Sequence, residues 1–309
     1  MNAIKYILIC GAGMMGKNIA FVMASNPAYQ VGVYDLYETD VPGGIRANTR
    51  QLIAKGALTE EELDARLSRI SFTTDLDSEL VSRADLVIEA VFEDMKIKRE
   101  TFAKLEARCR PDTIFCTNSS VMSPSEISAE LRHRERFVGT HFWNPGHLIP
   151  LVEVVKSDAS SDETAQTVME VLSSAGKEPV LCKKDVPGFI ANRMQHALWR
   201  EAISIVERGI ADPATVDKAV RYSFGLRLPQ LGPMENADMV GTDLTYNIHD
   251  YILKDLEDSH EPSPLLTRLR DEGKLGFKTG EGFQTWTPQQ IEQSKEALND
   301  YLVDMLYGK

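Results

Sequence analysis

Residues 4–35 read IKYILICGAGMMGKNIAFVMASNPAYQVGVYD. The apolar run Ile4–Cys10 stops abruptly at Gly11, Ala12 and Gly13. Beyond Gly16 the apolar residues Ile19, Ala20, Val22 and Met23 recur at helical spacing, and a second apolar run, Val31–Tyr34, ends at Asp35. The pattern predicts strand, tight turn, helix and strand. In that context the three glycines complete a GxGxxG dinucleotide fingerprint.

Each position has a physical reason. Gly11 permits the sharp turn, Gly13 leaves no Cβ between the backbone and a pyrophosphate, and Gly16 lets the helix lie close on the sheet. The loop of Gly11, Gly13, Met14, Met15 and Gly16 thus leads into a helix N-terminus whose N–H groups and dipole attract phosphate. Asp35, 19 residues after Gly16, is placed to accept hydrogen bonds from an adenosine ribose and to repel a 2′-phosphate. No arginine follows at 36 or 37, so NAD rather than NADP is the expected cofactor. The same residues nearly spell GxxxxGK, but Asn18 stands where a phosphate-loop NTPase needs Ser or Thr. A purely structural glycine turn leaves Asp35 unexplained.

Working outward, 309 residues suffice for two domains with substantial cores. The net charge of −12 argues against nucleic acid as the main partner, while leaving room for a local basic patch. Cys10, Cys109, Cys116 and Cys182 form no CxxC pair and suit reduced, buried thiols. No apolar run reaches membrane length, and the first strand starts too early for a signal peptide; a cytoplasmic protein without a membrane partner is expected.

After Asp35, PGGIRANTRQLIAKG and TEEELDARLSRI read as a helical hairpin inserted between strands, with Thr59 and Glu62 as a capping box. It carries Arg46, Arg50, Lys55, Arg66 and Arg69, a candidate anion patch, although a solvated charged face is the commoner meaning of such a run. Strands are predicted at Asp85–Val91, Thr113–Thr117, Phe137–Phe142, Leu151–Val155 and Pro179–Cys182. Helices fall between several of them, among them Met95–Arg110 and Asp162–Ala175, the latter opened by Ser160 with Glu163. Alternating strands and helices predict a mainly parallel, doubly wound α/β sheet. At KKDVPG, residues 183–188, the character changes, and the rest reads as helices. The expected division is therefore 1–184 and 185–309.

The crevice of such a sheet lies beyond the C-terminal strand ends. There the sequence sets Glu93, Asn118, Ser119, Ser120, His141 and Asn144. Glu153 sits within LVEVV, where a carboxylate is costly to bury unless paired, and His141 on the neighbouring strand is the obvious partner. A histidine held by a carboxylate suits proton transfer near neutral pH. Taken alone, however, His141 would more commonly be a satisfied core histidine, and Glu153 could face solvent from an edge strand. The spacing of His141, His147 and Glu153 matches no compact metal site, so no metal is expected. No GxSxG surrounds Ser120, which argues against a serine hydrolase.

GAGMMG, ADLVIEAVFEDMKIK, TNSS, GTHFWNP, PLVEVV, KDVPGFIANR, LGPMENADMVG and KTGEGF follow one another from Ile7 to Phe283. In this order they resemble the 3-hydroxyacyl-CoA dehydrogenase family over nearly the whole chain. The resemblance implies a Rossmann-type NAD-binding domain with a helical hairpin insertion, an all-α C-terminal domain that forms a homodimer, and a small-molecule substrate. It makes His141 the catalytic base, Glu153 its partner, and Ser120 and Asn192 the groups on the reacting oxygen. Glu93, Lys98, Asn144 and Lys278 match cofactor contacts beside Asp35, and Lys55 matches a coenzyme A contact. The implied reaction interconverts (S)-3-hydroxyacyl-CoA and 3-oxoacyl-CoA, as in fatty acid metabolism.

Some residues depart from the family pattern. The serine loop is TNSS-Val, with Ser120 rather than Ser119 aligned as the functional serine. Asn48 stands where the family often has a serine against coenzyme A, and Trp143, Gly146 and His147 occupy a loop expected to face the acyl pocket. A helical tail from Pro288 to Tyr307 extends past KTGEGF. These features and LIPLVEVV look like the branch that oxidises free hydroxy acids such as gulonate, carnitine or a pyridine carboxylate, whereas Lys55 favours an acyl-CoA. A non-catalytic NAD(H)-binding module is the third alternative, and retention of Ser120, His141, Glu153 and Asn192 together argues against it.

Overall fold

The computed structural model describes residues 3–308. In chain order the elements are β1 (Tyr6–Cys10), α1 (Met14–Met23), β2 (Gln30–Tyr34), α2 (Val41–Ala54), α3 (Glu60–Leu67), β3 (Ile70–Thr73) and α4 (Glu79–Ser82). There follow β4 (Leu86–Glu89), α5 (Met95–Glu106), β5 (Ile114–Thr117), α6 (Pro124–Ile127), β6 (Phe137–Phe142), β7 (Leu151–Lys156), α7 (Asp162–Ser174) and β8 (Glu178–Cys182). The remainder comprises α8 (Ala191–Glu207), α9 (Pro213–Arg221), α10 (Pro233–Val240), α11 (Thr242–Ile252), α12 (Pro264–Asp271) and α13 (Pro288–Tyr307).

The strands form one sheet in the order β3-β2-β1-β4-β5-β6-β7-β8. Every pairing is parallel except β6 with β7. The exception follows from chain length: a parallel return needs a crossover of a dozen or so residues, and the loop from Trp143 to Pro150 is too short for one. Strands β4 and β5 are buried along their whole length, which explains why they read as continuous apolar runs without alternation. Alternate residues of β1 serve opposite faces. Ile7 and Ile9 pack with Ile19, Ile45, Leu52 and Val168, while Leu8 and Cys10 pack with Phe102, Phe115 and Phe137.

Helix starts follow local chemistry. Asp40 caps α2 by accepting from Gly43 N, and the Thr59–Glu62 capping box opens α3. The start of α7 differs from expectation. Ser161 is its cap, accepting from Thr164 N; Ser160 instead accepts from Ser157 N and donates to the Phe137 carbonyl oxygen. With two adjacent serines, a bond to a distant strand decides which one caps.

The chain divides into two compact units: one runs to Ala191 and resumes at Leu298, and the other is Asn192–Ala297. The first unit extends beyond the expected boundary at residue 184 because Phe189 is buried with Val155 and Cys182 and the next two residues are hydrogen-bonded to β7. It regains the last turns of α13 because Val303 is buried in its core and Leu302 packs there. The second unit is helical, apart from isolated bridges of Glu281 with Gly276 and Thr285 around KTGEGF. No helix among the described residues is long and apolar enough to cross a membrane.

Candidate active site

At the end of β1 the glycine loop has the shape a dinucleotide needs. Gly11 has φ +108°, and a Cβ there would stand 2.6 Å from the Ala90 carbonyl oxygen. A Cβ on Gly16 would lie 1.8 Å from the Gly11 carbonyl oxygen, so helix and turn fit only without it. At Gly13, by contrast, nothing lies within 4 Å of that position. Gly13 caps α1 with no side-chain hydrogen bond, leaving first-turn N–H groups directed at an incoming phosphate. Asp35, at the tip of β2, accepts from Ala12 N at 2.6 Å and Tyr37 N at 3.2 Å, which fixes its carboxylate beside the loop. Leu36 and Tyr37 beyond it are exposed and bring no cation. These residues fit NAD.

Under the ends of β4 and β5 lies a buried charge cluster. Lys98, 1% exposed, donates to Glu89 at 2.7 Å and pairs with Glu93 at 3.1 Å. Glu89 also accepts from Thr117 Oγ1 and Val91 N. Burial pushes the Glu89 carboxyl up, against the opposing pull of Lys98. Burial also raises Glu93, but hydrogen bonds from Ser119, Lys98 and the Ser120 backbone outweigh it, and the net displacement is downward. Glu93 is therefore the member that presents charge to the crevice, and Lys98 supports it from below. The sequence reading passed over Glu89, although a carboxylate inside an apolar strand was the signal that singled out Glu153. Ser119 is buried, with its hydroxyl donating to Glu93 and accepting from Met122 N. Ser120, half-buried, sits at the loop's outer position.

Strands β6 and β7 place His141 directly opposite Glu153. Directly opposed residues on an antiparallel pair share a face, and His141 Nδ1 lies 2.8 Å from Glu153 Oε2. Glu153 has no exposed surface and His141 very little; with β8 outside it, β7 is not an edge strand. The second carboxylate oxygen accepts from Ile190 N at 2.9 Å and Ala191 N at 3.0 Å. Burial works to raise the Glu153 carboxyl, but His141 and these two N–H groups hold it below the ordinary carboxylate range. A further donor was missed from sequence: Trp143 Nε1 reaches Oε2 at 3.3 Å. The imidazole has the rings of Trp143 and Phe189 as neighbours, with centroids at 5.4 and 5.7 Å.

Asn118 Oδ1 accepts from Phe142 N, tying β5 to the end of β6. Asn144 follows Trp143, exposed, at a cis bond to Pro145. Asn192 and Lys278 belong to the second unit, where Lys278 is exposed and lines an apolar cavity of about 540 Å³ with Leu266, Leu275 and Phe283.

On the hairpin, four of the five cations are engaged within the protein, and Arg50 is exposed. Lys55 Nζ donates to Asp304 Oδ1 at 2.8 Å and lies 3.4 Å from Asp300, both on α13. Arg46 pairs with Glu60 and Asp64, Arg66 stacks on the Phe21 ring at 4.5 Å, and Arg69 donates to the Ala24 carbonyl oxygen. Asn48 Nδ2 donates to Asn18 Oδ1 at 2.7 Å.

Two family models match the chain: 3-hydroxyacyl-CoA dehydrogenase, NAD binding domain, over residues 6–186, and 3-hydroxyacyl-CoA dehydrogenase, C-terminal domain, over 188–286. The chain belongs to the 3-hydroxyacyl-CoA dehydrogenase family. It is an NAD-dependent oxidoreductase that acts on a hydroxyl group. Helix α13 begins beyond both models. Among relatives, 5-formyl-3-hydroxy-2-methylpyridine 4-carboxylate 5-dehydrogenase of Mesorhizobium japonicum is 34% identical over 293 residues, covering 94% of this chain and 93% of that one. A probable 3-hydroxybutyryl-CoA dehydrogenase of Bacillus subtilis is 37% identical over 284 residues, covering 91% and 96%. Among solved structures, the pyridine-carboxylate enzyme superposes with a TM-score of 0.89 at 32% identity over 97% of both chains. For (S)-3-hydroxybutyryl-CoA dehydrogenase from Ralstonia eutropha the TM-score is 0.75 at 29% identity, covering 92% of this chain and 100% of that one.

Proposed function

We propose that the protein oxidises the alcohol of a free hydroxy acid, one whose carboxylate is not esterified to coenzyme A. The observation that carries this reading is the state of the hairpin. Lys55, the residue that family resemblance assigns to coenzyme A, is bound by Asp304 and Asp300. Those carboxylates would oppose a coenzyme A phosphate approaching Lys55. Asn48, the other candidate contact, is directed at Asn18. The close superposition on the pyridine-carboxylate enzyme supports the same reading, and it takes the protein outside fatty-acyl oxidation.

The proton chemistry follows from the strand pair. With Nδ1–H directed at Glu153, His141 carries its lone pair on Nε2, where it accepts the substrate's hydroxyl proton. Glu153, anchored at both oxygens, holds the ring in that tautomer and stabilises the imidazolium that forms. NAD, when bound, would supply the acceptor for the hydride of the hydroxyl-bearing carbon. Ser120 and Asn192 are assigned to the reacting oxygen by resemblance. Gly11, Gly13, Met14, Met15, Gly16, Asp35 and Glu93 hold the nucleotide, joined by Asn144 and Lys278 through resemblance. The proposal includes a homodimer formed through the helical domain, whose exposed Met234, Met239, Tyr246 and Tyr251 supply apolar surface for it.

The test is steady-state NADH oxidation with acetoacetyl-CoA and with unesterified 3-oxo acids at equal concentration, beside a His141→Gln control. The expected result is a higher kcat/KM for a free acid, abolished in the control. Preference for the thioester overturns the substrate assignment. Equal rates in wild type and control, with NADH still bound, overturn the catalytic role of His141.

A further inference from the structure

Trp143 lies one residue beyond β6, and it does more than line a loop. Its indole N–H and His141 Nδ1 converge on the same atom, Glu153 Oε2, at 3.3 and 2.8 Å. The opposite oxygen is already held by the Ile190 and Ala191 N–H groups. The carboxylate has no exposed surface, so these protein donors set how much of its charge the imidazole experiences. The indole ring is also a direct neighbour of the imidazole, with centroids 5.4 Å apart and the planes tilted by 50°.

We propose that Trp143 is a positioning residue that, by sharing Glu153 Oε2, moderates the grip of the carboxylate on His141. A donor hydrogen-bonded to a carboxylate withdraws charge from it. Without the indole N–H, Oε2 is left to His141 alone, and the imidazolium is held more tightly. Titratable groups facing the pair from other elements are few. The Cys182 thiol on β8 is pushed up first by its own burial, with smaller contributions from Glu153 and from Asp185; Asp185 itself accepts from Ser123 Oγ and Ser125 N. Phe189, buried with Val155 and Cys182, carries no charge. The inference rests on the His141–Glu153 assignment but is independent of the substrate class.

The test replaces Trp143 with Phe, which keeps a ring and removes the N–H. NADH-dependent reduction needs the protonated imidazole, so its kcat/KM falls on the basic side. With whichever of acetoacetate or acetoacetyl-CoA wild type reduces faster, Trp143→Phe should move that basic limb up by roughly half a pH unit. The displacement should vanish when Trp143→Phe is made in a Glu153→Gln background. An unmoved limb in a variant that still binds NADH, or an equal displacement without Glu153, overturns the inference. If Trp143→Phe does not fold, or wild type reduces neither compound, the indole N–H resonances of wild type decide. One of the three should move as His141 titrates and be displaced in Glu153→Gln, and the absence of any such resonance overturns the proposal. A loss of His141 catalysis in the Glu153→Gln variant with no Trp143 effect would leave the dyad standing and remove only the indole.

Discussion

Replacing Glu153 with Gln changes one oxygen to an amide NH2 in a site where every neighbour is a donor. If the NH2 faces Ile190 N and Ala191 N, two backbone donors that now bond at 2.9 and 3.0 Å lose their acceptor. If it faces the other way, it meets His141 and Trp143. The imidazole must then accept at Nδ1, which moves its proton to Nε2 and removes the lone pair that should take the hydroxyl proton. In both orientations the negative charge opposite the imidazolium is gone. The stranded donors cost about 1–3 kcal/mol of stability, small enough for the variant to fold. The wrong tautomer and lost charge should lower kcat by roughly 10² to 10⁴-fold. The assay pairs single-turnover NADH oxidation with NADH binding by fluorescence and the urea midpoint. NADH affinity should stay within a few-fold of wild type, because the nucleotide-binding residues are untouched. A kcat loss below tenfold, or an equal loss in NADH affinity, would refute the reasoning and make Glu153 a structural residue.

Lys98→Met should be far more damaging than a surface lysine change, destabilising by about 3–5 kcal/mol in urea unfolding, because it strands Glu89 with no exposed surface; a loss below 1 kcal/mol would mean Glu89 takes up a proton at little cost. The His147 imidazole is pushed down to about 4, first by burial and then by the Lys177 ammonium. The unfolded chain therefore takes up this proton below pH 6.5 and the folded chain does not, so its contribution is complete above 6.5 and lost as pH falls towards 4, by up to about 3 kcal/mol. Urea midpoints of His147→Gln and wild type, compared from pH 7.5 to 4.5, should show the variant with the shallower acid slope. Neutralising both tail carboxylates, Asp300→Asn with Asp304→Asn, should lower KM for acetoacetyl-CoA by roughly tenfold by removing like charge near its phosphates, with the free-acid kcat unchanged; an unaltered KM would show that α13 does not govern coenzyme A.

The parts of the molecule legible in sequence are those fixed by neighbours in the chain. GAGMMG and Asp35 are set by steric demands within one strand-turn-helix-strand unit. Glu153 stood out because a carboxylate inside LVEVV must be paired if buried. Glu89 in LVIE gave the same signal, but nothing adjacent pointed to Lys98 as its partner, since that lysine reads as a surface residue of an amphipathic helix. Trp143 was legible only as part of a loop; its bond to Glu153 depends on how that loop leaves β6. The Lys55 contact with Asp304 joins residues 249 positions apart and has no local signature. The same holds for the burial of Phe189 and Val303 with residues distant in sequence.

Those different ranges bear on how the protein diverges from its relatives. The His141–Glu153 pair is 12 residues apart and comes from one antiparallel register, so the β6–β7 return alone keeps the two positions opposed. Under the proposed function, substrate choice would rest instead on the hairpin and on α13, which meet through the Lys55–Asp304 pair while Val303 and Leu302 pack in the core. Exposed ion pairs of that kind contribute little to stability, so they can be exchanged without threatening the fold. On this proposal the His141–Glu153 pair and the Lys55–α13 contact are separate parts of the first unit, and substitutions in the two should combine additively. The thioester-to-free-acid ratio set by Asp300 and Asp304 should accordingly be the same with Trp143 or Phe at position 143, even as the pH limb moves.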